Sequence, residues 1–393
     1  MVSRSLRAIV SAGAPPRRAG LAVASGLLAL TQVSTVAAHR ATNTGILSRA
    51  LGIELAALGV VVLVAAVVAK RRSWLTPTRA LAGVSLGLVL TAFGVVLFET
   101  LSPDLTYGAG TLPFPRSWYA TMSLAGGFVA MLASLVLVRL KWPSRPRYAA
   151  LGILLGAWVA YPYVIPGAAS DTHPLGYAIV LVTPVVVGYI LQRDAGRALR
   201  RVARDRISAA FGVGVALCMF LFFLSVTGYL SILAIEGLPH RRVTTVIPTL
   251  YQLVTWPVLE LYFPHVPLFV ALSPGHLLIT GLLSALVGTS AAFIAYRWRT
   301  GADAGFTEGS AGSAALLGSC TCGCCGPLIA KVAVLATSSS AAAPIYWLFV
   351  DTASPFSTLF LIGSIVLFTA SVVYSVSTNA AGAVEKSDSA VST

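Results

Sequence analysis

The chain has 393 residues, of which 57% are hydrophobic and only 10% are charged, and its mean hydropathy is +0.85. Ordinary soluble domains carry roughly 25% charged residues, so this composition excludes that class and indicates a protein that crosses a membrane many times. The net charge of +14 does not indicate nucleic-acid binding, because Arg and Lys occur in short clusters between apolar runs and form no basic domain.

The amino-terminal segment permits two interpretations. Residues 1–18 are basic, and the apolar run 19–38 has the length of a first membrane span. The same run also resembles a signal peptide, because Val36-Ala37-Ala38 has the small residues of a cleavage site. A retained helix and a cleaved signal leave the later spans in the same orientation.

Further apolar runs follow, most of them near the ~20 residues that a helix needs to cross a bilayer. The sequence therefore predicts an all-α, polytopic integral membrane helix bundle of about ten transmembrane helices, in a single membrane domain of residues 19–377. We expect segment 236–267, with its aromatic residues and prolines, to lie in the membrane interface. The predicted spans are about 19–38, 51–69, 80–98, 118–138, 148–167, 176–191, 207–235, 268–296, 311–337 and 355–377.

The distribution of basic residues predicts the orientation of these spans. If residues 1–18 lie in the cytoplasm, most of the 27 Lys and Arg residues fall on the cytoplasmic side. Positive charge favours that side, so we expect both termini, including the polar tail 378–393, in the cytoplasm. The sequence thus predicts a multi-pass protein of the cell membrane, with the lipid bilayer as its partner and no nucleic acid.

Four of the five cysteines lie in one short window of the predicted ninth span. Thiolates are soft ligands for copper(I), mercury(II) and zinc(II), and two thiols at Cys-x-x-Cys spacing can also form a disulfide. A rise of ~1.5 Å per residue places the window roughly 13 to 21 Å deep, close to the middle of the bilayer. The window contains the candidate metal ligands Cys320, Cys322, Cys324 and Cys325.

The spacing of the four cysteines favours two-coordinate metal ions. On an ideal helix Cys320 and Cys324 share one face, and the other two cysteines share nearly the opposite face. One pair is sufficient for copper(I) or mercury(II), whereas tetrahedral zinc needs four converging ligands. A local break would bring more thiols together, and the nearby Gly323, Gly326 and Pro327 are residue types that permit one.

Lys331 is the second unusual residue of the ninth span. A lysine within a membrane costs roughly 2.5 to 3.5 kcal/mol, so such residues usually face a protein interior or water. On a continuous helix Lys331 shares the face of Cys320 and Cys324, where its charge would favour thiolate over thiol. The alternative is that its side chain extends to the outer headgroups.

The sequence Cys324-Cys325-Gly326-Pro327, followed by Leu328, resembles the first-helix motif of the mercuric-ion transport proteins of bacterial mercury resistance. In that family the paired cysteines accept a soft metal ion and pass it across the membrane. The resemblance covers about ten residues and implies a metal-binding role for Cys324 and Cys325.

Two further residues are candidates for proton or metal chemistry. His276 follows Ser273-Pro274-Gly275 near the outer start of the eighth span, and is either a metal ligand, a proton carrier or a structural histidine. Glu54, within the second span, either couples to protons or cations or meets water near the end of its helix. We interpret the fifth cysteine, Cys218, as a packing residue.

Three functions remain open from sequence. The first is a carrier or handling protein for a soft metal ion, and the second is a thiol-disulfide membrane oxidoreductase using Cys322 and Cys325. The third is a structural or accessory subunit of a membrane complex, in which small residues let helices pack closely. The sequence has no P-loop, no dinucleotide-binding glycine motif, no His-Glu-x-x-His and no Ser-His-Asp pattern, which favours a function other than catalysis.

Overall fold

The computed structural model of the protein describes residues 48–102, 112–165, 173–231, 243–249, 254–263, 268–300, 332–334, 339–349, 351 and 354–391. Over these residues the chain forms a helix bundle joined to one small sheet. The helices are α1 Arg49–Arg71, α2 Pro77–Leu101, α3 Ser117–Lys141, α4 Arg147–Val164, α5 Pro174–Arg204, α6 Arg206–Val226, α7 Pro274–Thr300, α8 Ser339–Phe349 and α9 Pro355–Val391. The strands are β1 Leu230–Ser231, β2 Val243–Thr249, β3 Val254–Phe263 and β4 Leu268–Leu272.

Seven helices within the described ranges are long and apolar enough to cross a membrane. They are α1, α2, α3, α5, α6, α7 and residues Pro355–Tyr374 of α9. Helix α4 has 18 residues, contains Pro162 and packs beside α3. The multi-pass helical architecture is therefore confirmed. Predicted span 19–38 and all of 311–337 except 332–334, which is helical, lie outside the described residues.

Several predicted helix ends differ from the observed ones. Helix α5 continues past residue 191 to Arg204, because the basic stretch that follows still has apolar residues at helical spacing. Helix α6 ends at Val226 and not at 235, since Gly228 turns the chain with a φ of 78°. The tail predicted at 378–393 is helical as far as Val391.

A four-stranded antiparallel sheet corrects the all-α prediction. Its strand order is β1-β4-β3-β2, and it occupies the segment between α6 and α7. Residues 268–272 of the predicted eighth span form β4, and the helix itself begins at Pro274. Proline suits a first helical turn because that turn has no partner for a backbone N–H, so Pro274 separates strand from helix.

Glycine brings neighbouring helices into backbone contact. In the α1–α2 pair, a Cβ added to Gly59 would lie 2.4 Å from the backbone nitrogen of Thr91. A Cβ on Gly94 would lie 2.3 Å from the nitrogen of Ala56. Similar contacts join α3 to α4 and α6 to α7, through the pairs Gly127–Gly156 and Gly212–Gly288. Small residues at helix interfaces permit this close approach in membranes, where van der Waals packing replaces the hydrophobic effect.

The alternating helix directions give the bundle two chemically different ends. The carboxyl termini of α1, α3, α5 and α7 and the amino termini of α2, α4 and α6 carry clustered Arg and Lys, and we call this the basic end. The opposite end, which we call the sheet end, holds the β-sheet. Between them lies a core whose largest fully buried side chains are Trp158, Phe223 and Phe368.

Candidate functional site

The cysteine window and Lys331 lie outside the described residues. The candidate metal site therefore stays a prediction from sequence, for the ligands Cys320, Cys322, Cys324 and Cys325 and for Lys331. Within the described ranges, no group of three or more His, Cys, Asp or Glu side chains is arranged to hold a metal ion. The candidate site with observable geometry is centred on His276, at the sheet end.

A turn after α6 builds one wall of this site. The N–H of Gly228 donates to the carbonyl of Ser225 at 3.1 Å, and the N–H of Tyr229 donates to the carbonyl of Leu224 at 2.9 Å. These two bonds, with a left-handed glycine between them, form a Schellman motif. The carbonyl of Tyr229 then accepts from the N–H of Ala271 at 2.7 Å, which ties the turn to the sheet.

The His276 side chain is buried against this turn, with 3% of its surface exposed. Its ring stacks on Tyr229 with a centroid distance of 3.8 Å and an interplanar angle of 5°. Its Nε2 lies 3.0 Å from Thr227 Oγ1, and the Thr227 hydroxyl donates to the carbonyl of Phe223 at 2.7 Å. Because that hydroxyl proton is used, Thr227 Oγ1 accepts from Nε2–H, and the imidazole is held as its Nε2-protonated tautomer.

The other side of the site is covered by aromatic residues from the sheet. Trp256 of β3 packs so closely on Gly275 that an added Cβ would lie 2.5 Å from its Nε1. Its ring meets Tyr177 of α5 edge-on at 4.9 Å, and the Tyr177 hydroxyl donates to the Thr255 carbonyl at 2.8 Å. The sheet thus closes over the first turns of α5 and α7, which explains the glycine before His276.

Hydroxyl groups continue from His276 into the bundle. Thr280 and Ser284 follow on successive turns of α7, and their side chains are 3% and 2% exposed. At a rise of ~1.5 Å per residue, Ser284 lies about 12 Å below His276. Ser284 Oγ has no hydrogen-bond partner among the described atoms. These hydroxyl groups and His276 place polar atoms on one buried face of α7.

Tyr229 remains a neutral phenol in this setting. It lies between α6 and β1, and burial raises its pKa above the ordinary tyrosine value. Desolvation disfavours the phenolate, so Tyr229 offers an uncharged ring to His276. Stacking on Tyr229 and the hydrogen bond with Thr227 engage the ring face and Nε2 of His276, and this arrangement suits a role in proton or hydrogen-bond transfer or a structural role.

The remaining sequence candidates lie elsewhere. Glu54 is exposed on the outer surface of α1, and Cys218 is a half-buried free thiol on α6. Neither residue belongs to the His276 cluster. Sequence reasoning missed Glu99, a buried carboxylate near the end of α2 with 9% of its surface exposed. The sequence clue to Glu99 was that it is a single acidic residue at the end of a long apolar run.

Two aspartates that form ion pairs at the basic end were also missed. Asp194 of α5 accepts two hydrogen bonds from the Arg147 guanidinium, one of them 2.8 Å long, and one of 2.8 Å from Tyr148. Asp205, which caps α6, is bonded to Arg299 at the end of α7. In the sequence these arginines indicated only orientation, because nothing in their spacing identified their acidic partners.

Comparisons with known proteins assign no family to the chain. No protein-family model, no curated protein sequence and no solved structure matches it. Functional inference therefore depends on the residues themselves.

Proposed function

We propose that this chain is a multi-pass protein of the cell membrane that carries or handles a soft metal ion through Cys320, Cys322, Cys324 and Cys325. The observation that carries the proposal is the concentration of four of the chain's five cysteines in this single window. Soft thiolates in an apolar segment favour copper(I) or mercury(II), for which two ligands are enough, and zinc(II) would need all four.

The described residues on either side of the window support this proposal. Helix α7 ends at Thr300 at the basic end, where the neighbouring Arg299 bonds Asp205. Helix α8 lies at the sheet end, where the Arg116 guanidinium is 5.7 Å from the Trp347 ring. These two described helix ends therefore lie at opposite ends of the bundle, as a carrier that moves an ion from one side of the membrane to the other requires.

The four cysteines have two roles in the proposal. Cys324 and Cys325 are the primary ligands, as the resemblance to the mercuric-ion motif implies, and Cys320 and Cys322 are secondary ligands. A thiol that binds the metal releases its proton, so ion binding is coupled to proton release. Lys331 balances the charge of the thiolates. The metal ion is the cargo, and its oxidation state does not change in the transfer.

The orientation belongs to the same proposal. Most basic residues of the described helices lie at one end of the bundle, although Arg49 is at the opposite end, and such residues favour the cytoplasmic side of a membrane. We place the basic end and both termini in the cytoplasm, with the sheet end and His276 on the outer side.

Metal retention by the purified chain tests the thiol site. The fourfold variant C320S/C322S/C324S/C325S removes the window, and C218S is the matched control because Cys218 is the remaining thiol, on α6. After incubation with copper(I), mercury(II) or zinc(II) under reducing conditions and removal of free metal, elemental analysis should show near-stoichiometric ion in wild type and C218S and little in the fourfold variant. Equal metal in all three proteins contradicts the proposal.

A structural or accessory function is the second candidate, and the glycine contacts between helices favour it. Gly59 and Gly94 show that this chain uses small residues for close helix packing, and cysteine is also a small residue. In this case the fourfold serine variant would assemble normally and preserve the cellular phenotype. Metal sensitivity of cells carrying that variant separates the two candidates.

A further inference from the structure

The carboxyl-terminal half of α5 presents five exposed arginines on one side. At ~100° per residue, these positions fall within an arc of roughly 100° around the helix axis. No carboxylate of the described residues forms an ion pair with any of them. We call this surface the arginine face, and it consists of Arg193, Arg197, Arg200, Arg201 and Arg204.

The opposite side of the same helix segment is fixed to the bundle. Ala195 and Val202 are 1% and 4% exposed, and they pack with Phe293 of α7 and Val372 of α9. The segment cannot rotate about its axis without exposing this apolar cluster. The arginine face is therefore held outward.

The acidic residues at both ends of the face are already engaged. Asp194, whose side chain is 6% exposed, is bonded to Arg147 and Tyr148. Asp205 is bonded to Arg299 and to Ser208. These carboxylates neutralise arginines from other helices, so the arginine face keeps its own positive charge.

The same two ion pairs fix the level of the arginine face relative to the membrane. Arg147 is the first residue of α4, and Arg206, next to Asp205, is the first residue of α6. The apolar segments of both helices follow directly after these first residues. Helix α5 has 31 residues, which span about 46 Å at ~1.5 Å each, and this exceeds the ~30 Å hydrocarbon core. Because its far end is bonded to the start of α4 and the end of α7 and adjoins the start of α6, the extra length of α5 holds the arginine face at the level where these helices begin or end.

We propose that the arginine face binds the phosphate groups of anionic membrane phospholipids. Guanidinium groups form paired hydrogen bonds with phosphate, and clusters of four to eight basic residues next to a span attract anionic lipid. An acidic soluble protein would also match the charge. The level of the face, beside helices that enter the bilayer, favours the lipid. This surface is independent of the proposed thiol site.

Lipid binding to the full chain in an uncharged detergent tests the inference. Native mass spectrometry counts the phosphatidylglycerol and phosphatidylcholine molecules bound at equal lipid concentration. The variant R193Q/R197Q/R200Q/R204Q removes four charges from the face. The matched control R71Q/R79Q/R139Q/K141Q removes four exposed charges from the same end, on α1, α2 and α3.

We expect wild type and the control variant to bind phosphatidylglycerol in clear preference to phosphatidylcholine. The arginine-face variant should lose between about tenfold and a few hundredfold in that preference, since each of its four basic residues contributes up to about fivefold. All three proteins should melt at similar temperatures, because the altered side chains are exposed. If the arginine-face variant unfolds at a lower temperature than wild type, the lipid titration is repeated with the single substitution R200Q. This substitution should reduce the preference for phosphatidylglycerol about fivefold.

Three results overturn the inference. The first is an equal loss of preference in both fourfold variants, which indicates general charge attraction. The second is displacement of bound phosphatidylglycerol by inorganic phosphate at the same concentration, which shows that the lipid part is not needed. The third is stronger binding of a polyglutamate peptide than of phosphatidylglycerol, which indicates an acidic protein partner.

Discussion

The two ends of the bundle are stabilised by different chemistry. At the sheet end His276 is held by an uncharged hydroxyl and a stacked phenol ring, under a small sheet. At the basic end Asp194 and Asp205 each bind an arginine from another helix. The sheet end thus depends on ring packing and a neutral hydrogen bond, whereas the basic end depends on ion pairs. The sheet end should therefore tolerate the loss of a polar atom, whereas the basic end should not tolerate the loss of a buried charge.

Asp194→Asn should have the largest effect on stability. The substitution leaves Arg147 and Arg145 facing a neutral amide, and removal of one partner of a buried ion pair costs about 3 kcal/mol. Thermal unfolding in an uncharged detergent measures this loss. Asp205→Asn at the same end is the control, because its pair is more exposed. Equal losses for the two variants would show that burial of Asp194 is unimportant.

His276→Ala should have a smaller effect, of about 2 kcal/mol, because it empties a buried ring position and removes one hydrogen bond. His276→Phe keeps a ring against Tyr229 and should cost only about 1 kcal/mol. Unfolding of both variants in the same detergent compares ring and hydrogen bond directly. If His276→Phe is as damaging as His276→Ala, the bond to Thr227 is more important than the stack.

Acidification should reveal the smallest effect, that of Asp205. The hydrogen bond from Arg299 lowers the pKa of this carboxyl below its ordinary value. Its contribution is therefore fully present above the unfolded pKa of about 3.9 and is lost as the pH falls through the lower folded value. Because the Asp205 and Arg299 side chains are 23% and 28% exposed, the contribution should be under about 1 kcal/mol.

Melting temperatures measured between about pH 6 and about pH 3 test this expectation. Wild type should lose slightly more stability than Asp205→Asn below about pH 4, and added salt should reduce the difference. Arg299→Gln should show a pH dependence between those of wild type and Asp205→Asn, because the Asp205 carboxyl keeps its hydrogen bonds with Ser208. If the melting temperature of Asp205→Asn falls with pH in parallel with that of wild type, the Asp205–Arg299 pair has no role in acid sensitivity.

The membrane spans were the most predictable feature of the chain. A run of about twenty apolar residues has few alternatives to a helix in a bilayer, since every backbone polar group must be bonded internally. Helices α1, α2 and α3 accordingly match their predicted spans within a few residues. The additional turns of α5 escaped prediction because its last half is amphipathic, with arginine on one face and alanine, leucine and valine on the other.

The sheet was not predicted, because its strands lack the usual pattern. Strand β3 contains Pro257 and pairs with a β2 that contains Pro248, and proline normally argues against a strand. Both faces of β3 are also largely apolar, so the alternation typical of a half-buried strand is weak. Aromatic residues and prolines in this segment therefore indicated the membrane interface, and only the backbone pairing of β3 with β2 and β4, and of β4 with the more distant β1, identifies a sheet.

The candidate site was predictable in one residue but not in its surroundings. His276 was identified from its position at the start of a span, but its partners Thr227 and Tyr229 are distant in sequence, and only folding brings them together. Gly228 provided a local clue, because a glycine after an apolar helix is a common helix stop. The cysteine window, recognised from composition alone, stays a prediction.

The glycine seam between α1 and α2 limits how this protein can move. A Cβ on Gly59 or Gly94 would overlap the opposite backbone, so at these two positions the main chains of α1 and α2 are in direct contact. Rotation of either helix about its axis would replace a glycine by a side chain at the contact and cause an overlap. Any conformational change in the membrane should therefore move α1 and α2 together as one rigid unit relative to α6, which α2 also contacts.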